Sequence, residues 1–388
     1  MTESRRLGVA VLTFIALGMP FQAFSVAWPT VAEEMNVTLG TYGNLMIPGS
    51  VGYGIMTLAG AGLVRRFGVG RLISTCAWAV ALVWIGYTQA QDFNHLLFLA
   101  FAAGVAGGGL DVGLNSFAAL EMSPRGMNML HAGFGVGAAV GPAIMTISLA
   151  GAGGWKPGIV VIASLVAGIA AVLTITRKWW GITERPDEAP TVKSSRRFSV
   201  PIVLAMGLFF LYSGVEVGSG NWAFTLLHEG RNVNEAMAGT AVTLFWLALT
   251  ASRALLGWLG HRFEVQKVLI VSVWGTLVSL LLLWWAPTPW IGFVALLGAG
   301  FSLGPVFPLQ TSLVPQRFGR KVAPRVVGLQ VFSANIGVLT LPWMIGRTVD
   351  GIGIETIGGV LAIGAALLVA CDTALRRSTG EKRAPITS

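Results

Sequence analysis

From Gly8 to Leu375 the chain reads as a succession of apolar runs, each interrupted by a few polar or charged positions and then resumed. An apolar stretch of about 20 residues crosses a bilayer once as a helix. Counting such stretches predicts helices near 8–28, 41–62, 72–90, 95–118, 127–149, 156–176, 199–222, 236–259, 267–286, 289–312, 325–346 and 353–375. Glycine and proline inside these runs do not demote them to loops, because neighbouring membrane helices can satisfy the backbone groups they free. The pattern predicts an all-α membrane protein of twelve transmembrane helices.

One interruption is different in kind. Residues 177–198 contain Glu184-Arg-Pro-Asp-Glu-Ala-Pro190 and Lys193-Ser-Ser-Arg-Arg197, without apolar periodicity, and read as a polar linker. It divides the chain into an N-terminal six-helix bundle, 1–176, and a C-terminal one, 199–388. The halves echo each other. The segment Gly60-Ala-Gly-Leu-Val-Arg-Arg-Phe-Gly-Val-Gly-Arg71 recurs as Leu256-Gly-Trp-Leu-Gly-His-Arg-Phe-Glu-Val-Gln-Lys267, a shift of 196 residues that also aligns Gly104 with Gly300 and Ser116 with Ser312. A shift of 200 aligns Gly137 and Pro142 with Gly337 and Pro342, and one of 194 aligns Gln22 and Trp28 with Glu216 and Trp222. Two parallel six-helix repeats about an axis along the membrane normal place a substrate site near the midplane between them.

Composition narrows the class. Charged residues make up 11% of the chain and hydrophobic ones 54%, against about 25% charged in a soluble domain, which excludes an ordinary soluble enzyme. The net charge of +9 does not indicate nucleic acid, because Lys and Arg are confined to the segments between apolar runs. Of the 26 basic residues, Lys156, Arg231 and Arg347 fall on one side of the predicted bundle and Arg253 falls inside helix 8; the rest gather on the other side. The positive-inside rule makes that side cytoplasmic, with both termini and the linker, in a cell inner membrane. The run after Arg5 and Arg6 is long enough to span and reads as helix 1 rather than a cleaved signal. Cys76 and Cys371 stand far apart with no partner at metal or redox spacing. Glycine-rich runs such as Gly104-Val-Ala-Gly-Gly-Gly109 lie inside apolar helices and read as close helix contacts, not phosphate loops. No nucleophile triad or Walker lysine accompanies the spans, so no covalent reaction, cofactor or metal is expected, and a monomer is.

The loop Leu63-Val-Arg-Arg-Phe-Gly-Val-Gly-Arg71 resembles the signature between helices 2 and 3 of the major facilitator superfamily, with Ala61 in place of its leading glycine and Arg65 in place of its acidic residue. Asp111-Val-Gly-Leu-Asn115 followed by Asn128-Met-Leu-His-Ala-Gly-Phe-Gly-Val-Gly-Ala-Ala-Val-Gly-Pro142 is similar to helices 4 and 5 of the fucose permease group of proton-coupled sugar symporters, and Gly214-Val-Glu-Val-Gly-Ser-Gly-Asn-Trp222 to its helix 7. The resemblance implies secondary transport of a sugar or sugar-like polyol with a proton, a sugar and proton role for Asp111, and gating roles for Arg66 and its repeat counterpart Arg262. The group's acidic residue in helix 1 has no counterpart here, where the chain reads Phe21-Gln-Ala-Phe24.

A charge at the bilayer centre costs about 2.5–3.5 kcal/mol or more, so each ionisable residue within a span is a functional candidate. Asp111, with Asn115 one turn on, and Glu216 read as proton-coupling groups, or else as hydrogen-bonding links to a neighbouring helix. His131 reads as a structural or inner-gate residue, and Arg253 as structural or gating, through snorkelling or pairing with a helix terminus. Gln22, Asn115, Gln310 and Asn335 offer the paired donors and acceptors that hydroxyl-rich ligands need, and Trp28, Trp222 and Trp246 could stack on a sugar face or belong to interfacial belts. The site is expected to gather Gln22, Asp111, Glu216 and Asn335 in one cavity. Export of a drug or metabolite, and sensing without transport, remain as alternatives.

Overall fold

The computed structural model describes residues 3–122, 124–151, 153–181, 199–259, 264–320 and 322–380. Most of the predicted linker and Arg262 lie outside them. The expected crossings are α1 (Glu3–Glu34), α2 (Tyr42–Phe67), α3 (Val69–Tyr87), α4 (Phe93–Glu121), α5 (Pro124–Leu149), α6 (Trp155–Ile175), α7 (Val200–Gly230), α8 (Glu235–Leu259), α9 (Val265–Trp285), α10 (Pro289–Phe318), α11 (Ala323–Gly351) and α12 (Thr356–Ser378). Side chains such as Leu58, Ile175, Val271 and Trp274 point out of the bundle and are exposed. That is the inverse of a soluble protein's surface and the signature of a lipid-facing one.

Several helices outrun their predicted ends. α1 continues to Glu34, whose carboxylate accepts from Trp155 Nε1 (2.7 Å) and pairs with Lys156 at the start of α6. α10 is not one straight rod: it breaks at Gly304-Pro305 and resumes over Val306–Ser312 and Val314–Phe318. The cause is local chemistry. Pro305 and Pro308 have no N–H, so the carbonyls of Phe301 and Gly304 lose their partners four residues on.

Helix packing repeats with a step of six. α1 packs on α5 as α7 packs on α11, α2 on α4 as α8 on α10, and α3 on α6 as α9 on α12. The glycines that align in sequence make the same contact in each half. A Cβ on Gly137 would fall 2.0 Å from the Ile15 carbonyl oxygen of α1, and a Cβ on Gly337 would fall 2.0 Å from that of Phe210 on α7. Only glycine lets these backbones meet so closely.

The start of α1 and the end of α12 lie on one face with the ends of α2 and α6, a face that carries Arg65, Arg66, Arg71, Arg177 and Lys178; we call it the basic face. The halves meet chiefly through α2 with α11, α5 with α8, and α1 with α7. This seam is shut at the face opposite the basic one. There the Asp350 carboxylate of α11 accepts from Thr38 Oγ1 (2.8 Å) and from the Gly40 amide (2.9 Å), while a Cβ on Gly346 would strike the Gly40 carbonyl at 2.2 Å. Toward the basic face it opens. His131 of α5 lies on the helix face that touches α8 higher up, through Gly135 against Thr250, yet is itself exposed. Asn335 precedes Gly346 by eleven residues, about three turns, shares its face of α11, and is exposed as well.

Candidate functional site

Two polar clusters sit at mid-depth, one in each half. In the N-terminal half, Gly104 and Gly108 bring α4 against α2, which puts Tyr53 opposite Asp111. Tyr53 donates to Asp111 Oδ2 at 2.6 Å, and Asn115, one turn further along α4, donates from Nδ2 to Oδ1 at 2.9 Å. Both carboxylate oxygens are therefore engaged by neutral donors that tolerate loss or gain of a proton at this group. Asp111 and Asn115 are half-buried.

In the C-terminal half, Arg253 of α8 pairs with Glu216 of α7 at 3.0 Å, and Tyr212, one turn before Glu216, joins both: its hydroxyl donates to Glu216 and accepts from Arg253 Nη2 at 2.8 Å. Arg253 Nε donates to the Gly304 carbonyl at 3.2 Å, the acceptor that Pro308 leaves without a helical partner. The break in α10 thus supplies a ligand for the guanidinium, and a cation at a helix C-terminus is also favoured by the helix dipole. His131 lies one turn before Gly135, which meets Thr250 of α8, itself one turn before Arg253, so the two stand at about the same level of the seam; its ring packs edge-on against Phe14 of α1 at 5.5 Å.

Of the residues singled out in the sequence, the structure brings Asp111 together with Asn115, and Glu216 with Arg253. Asn335 stands on the seam, with its amide on its own helix, donating to the Val331 carbonyl. Gln22 differs from expectation: it is 6% exposed, and lies on the α1 face that carries Ile15 and Met19 onto α5, so it does not stand open in the seam.

Two further candidates are corrected. Gln310 is fully buried at the basic end of the C-terminal half, where Nε2 donates to Asp372 Oδ1 (2.8 Å) and Oε1 accepts from Arg317 (2.5 Å), with Arg376 2.9 Å from the other Asp372 oxygen. Its amide is consumed by a structural charge cluster. Trp222 is sealed too: Nε1 donates to the Pro342 carbonyl (3.1 Å) and its ring meets Tyr42 at 5.7 Å, while its repeat counterpart Trp28 meets the same Tyr42 at 5.3 Å. The two symmetry-related indoles clasp one tyrosine and close the seam instead of presenting a stacking surface. Trp246, 2% exposed and lodged against Gly220, is equally unavailable. Arg66 is exposed at the end of α2, over the Phe67 ring at 5.3 Å, and Arg262 lies outside the described residues.

Tyr53 and Tyr212 are the members the sequence did not disclose. Each is a tyrosine in an apolar run, where an interfacial or core role is the ordinary reading; only the helix register aims both at a carboxylate.

The Major Facilitator Superfamily model matches residues 10–229 and again 204–387. The chain belongs to this superfamily of membrane transporters. The double match restates the internal repeat. Among relatives, the glucose/mannose transporter GlcP of Bacillus subtilis is 21% identical over 380 residues, covering 95% of this chain and 94% of that one. The probable sulfoacetate transporter SauU of Cupriavidus necator is 26% identical over 173 residues, 43% of this chain and 40% of that one. Among solved structures, the nucleoside transporter NupG superposes with a TM-score of 0.73 at 13% identity, over 95% of this chain and 98% of that one. The fold is the major facilitator fold, and the resemblance to the fucose permease group agrees with relatives that carry sugars.

Proposed function

We propose that this transporter moves a small hydroxyl-rich solute, a sugar or sugar-like polyol, in symport with a proton by alternating access. The 1–176 and 199–388 bundles rock about the seam, joined by the 177–198 linker. In this reading the basic face is cytoplasmic, which the distribution of Lys and Arg supports, and the seam opens toward the cytoplasm of an inner membrane. The observation that carries the reading is the Asp111 carboxyl, held at mid-depth by Tyr53 and Asn115. A carboxyl in such a place exchanges its proton according to the water and charge around it. Neutral, it can donate to a substrate hydroxyl; ionised, it can only accept. Asn115 and Asn335 supply further donors and acceptors from the two halves, and His131 and Arg66 act at the cytoplasmic gate. The full-length likeness to a glucose/mannose transporter supports the solute class.

Asp111→Asn tests the coupling role, because asparagine keeps a similar shape and hydrogen bonding but carries no exchangeable proton. Counterflow and gradient-driven uptake of hexoses are measured in the same vesicles. Counterflow should persist while uphill accumulation is lost. Undiminished accumulation would remove Asp111 as the coupling group and pass that role to Glu216.

A further inference from the structure

Arg253 is the one basic residue the sequence places within a span rather than at its ends, and its surroundings are not those of a sealed structural ion pair. A buried pair is stable only when its remaining donors and acceptors are satisfied. Here Nε is taken by Gly304, and Nη2 by Tyr212 and Glu216, but Nη1 has no hydrogen-bond partner among the described residues. The side chain is 26% exposed, against 14% for Glu216, and His131, exposed on α5 of the other half, stands at about its level. A guanidinium with a free edge, reachable from the opening between the halves, is shaped for an oxyanion, which it holds with parallel, charge-assisted hydrogen bonds.

We infer that Arg253 is the anchor for an acidic group on the transported solute, so that the substrate class is a sugar acid, a polyol bearing one carboxylate. The inference rests on the transport reading above and deepens it. In the conformation described, Glu216 neutralises the guanidinium. When Glu216 takes up a proton, Arg253 carries an unbalanced positive charge in a medium where that is costly, and the solute carboxylate restores neutrality. Proton and anion therefore promote each other's binding, and a coupling of this kind is reciprocal. The charged and titratable groups at Glu216 are Tyr212 on its own helix and Arg253 on α8, and His131 stands at about the level of Arg253 on α5. α10 and α12 bring Arg317, Cys371, Asp372 and Arg376 nearer the basic face; Cys371 packs at Gly207, nine residues before Glu216, or about 13 Å along α7. The ionisable residues of α1 and α11 lie at their ends.

The test is equilibrium binding to the purified full chain of D-glucuronate, D-galacturonate and D-gluconate, each against D-glucose or D-galactose, at about pH 5.5 and about pH 7.5, within the span of reciprocal couplings. At least one acid should bind about tenfold more tightly at the lower pH and more tightly than its neutral partner. Glu216→Gln should hold that acid at the low-pH affinity at both pH values. Arg253→Gln should lose it by about a hundredfold, with Arg253→Lys between. If Arg253→Gln does not fold, the Glu216→Gln titration decides alone. Preference for the neutral hexose, or no acid bound at all, overturns the inference, as does a pH response unchanged in Glu216→Gln. Proton-driven uptake of neutral hexose in the same preparation would then leave the transport reading standing. Acid binding without proton-driven uptake would count against that reading and not against the anchor.

Discussion

Asp111 and Gln310 show how far a side chain's chemistry can be read before its neighbours are known. Both are polar residues in apolar helices, and both had to find partners away from lipid. Asp111 found a tyrosine and an asparagine and stays half-buried; Gln310 found an aspartate and an arginine and is fully buried. Gln310→Leu should therefore act on stability rather than on recognition. It removes the donor to a buried oxygen of Asp372, at about 1–3 kcal/mol for an unsatisfied group. Thermal unfolding in detergent should shift to lower temperature while hexose affinity stays within twofold of wild type. An affinity loss without a stability loss would return Gln310 to the binding site. The Asp111 and Asn115 pair was legible in the sequence because its spacing of four is a helix property. The Glu216 and Arg253 pair was not, because residues 37 apart meet only through the packing of α7 on α8.

Helices and their junctions carry the conformational information. Each predicted span coincides with a helix, and eleven of these, all but α2, are long and apolar enough among the described residues to cross a membrane. Their ends, and the break in α10, depended on proline placement and on partners such as Lys156 for Glu34. At the closed end of the seam, the α1–α2 connection and α11 are latched by Thr38 and Gly40 on Asp350, backed by Trp28 and Trp222 on either side of Tyr42. Alternating access requires this latch to open in every cycle. Thr38→Cys combined with Asp350→Cys, in a background without Cys76 and Cys371, should crosslink under mild oxidation and stop transport, with recovery on reduction. Full activity in the crosslinked protein would mean that this end of the seam does not move.

At the scale of the whole molecule, the repeat is the feature most fully written in the sequence. A shift of 200 aligns Gly137 with Gly337, and both glycines bring a fifth helix of their half onto its first. The same symmetry misled at Trp222 and Gln22. Equivalent positions in two repeats need not face a common cavity, because the seam is closed at one end and open at the other. The proposal is of two bundles with Asp111 in one and the Glu216–Arg253 pair in the other, and a cargo whose crossing is tied to a proton. Accumulation of labelled hexoses and hexose acids in proteoliposomes, under an imposed inside-alkaline pH gradient, tests that claim most directly. The account predicts accumulation above the outside concentration, abolished by a protonophore. Uptake that merely equilibrates, at the same rate with and without the gradient, would contradict it.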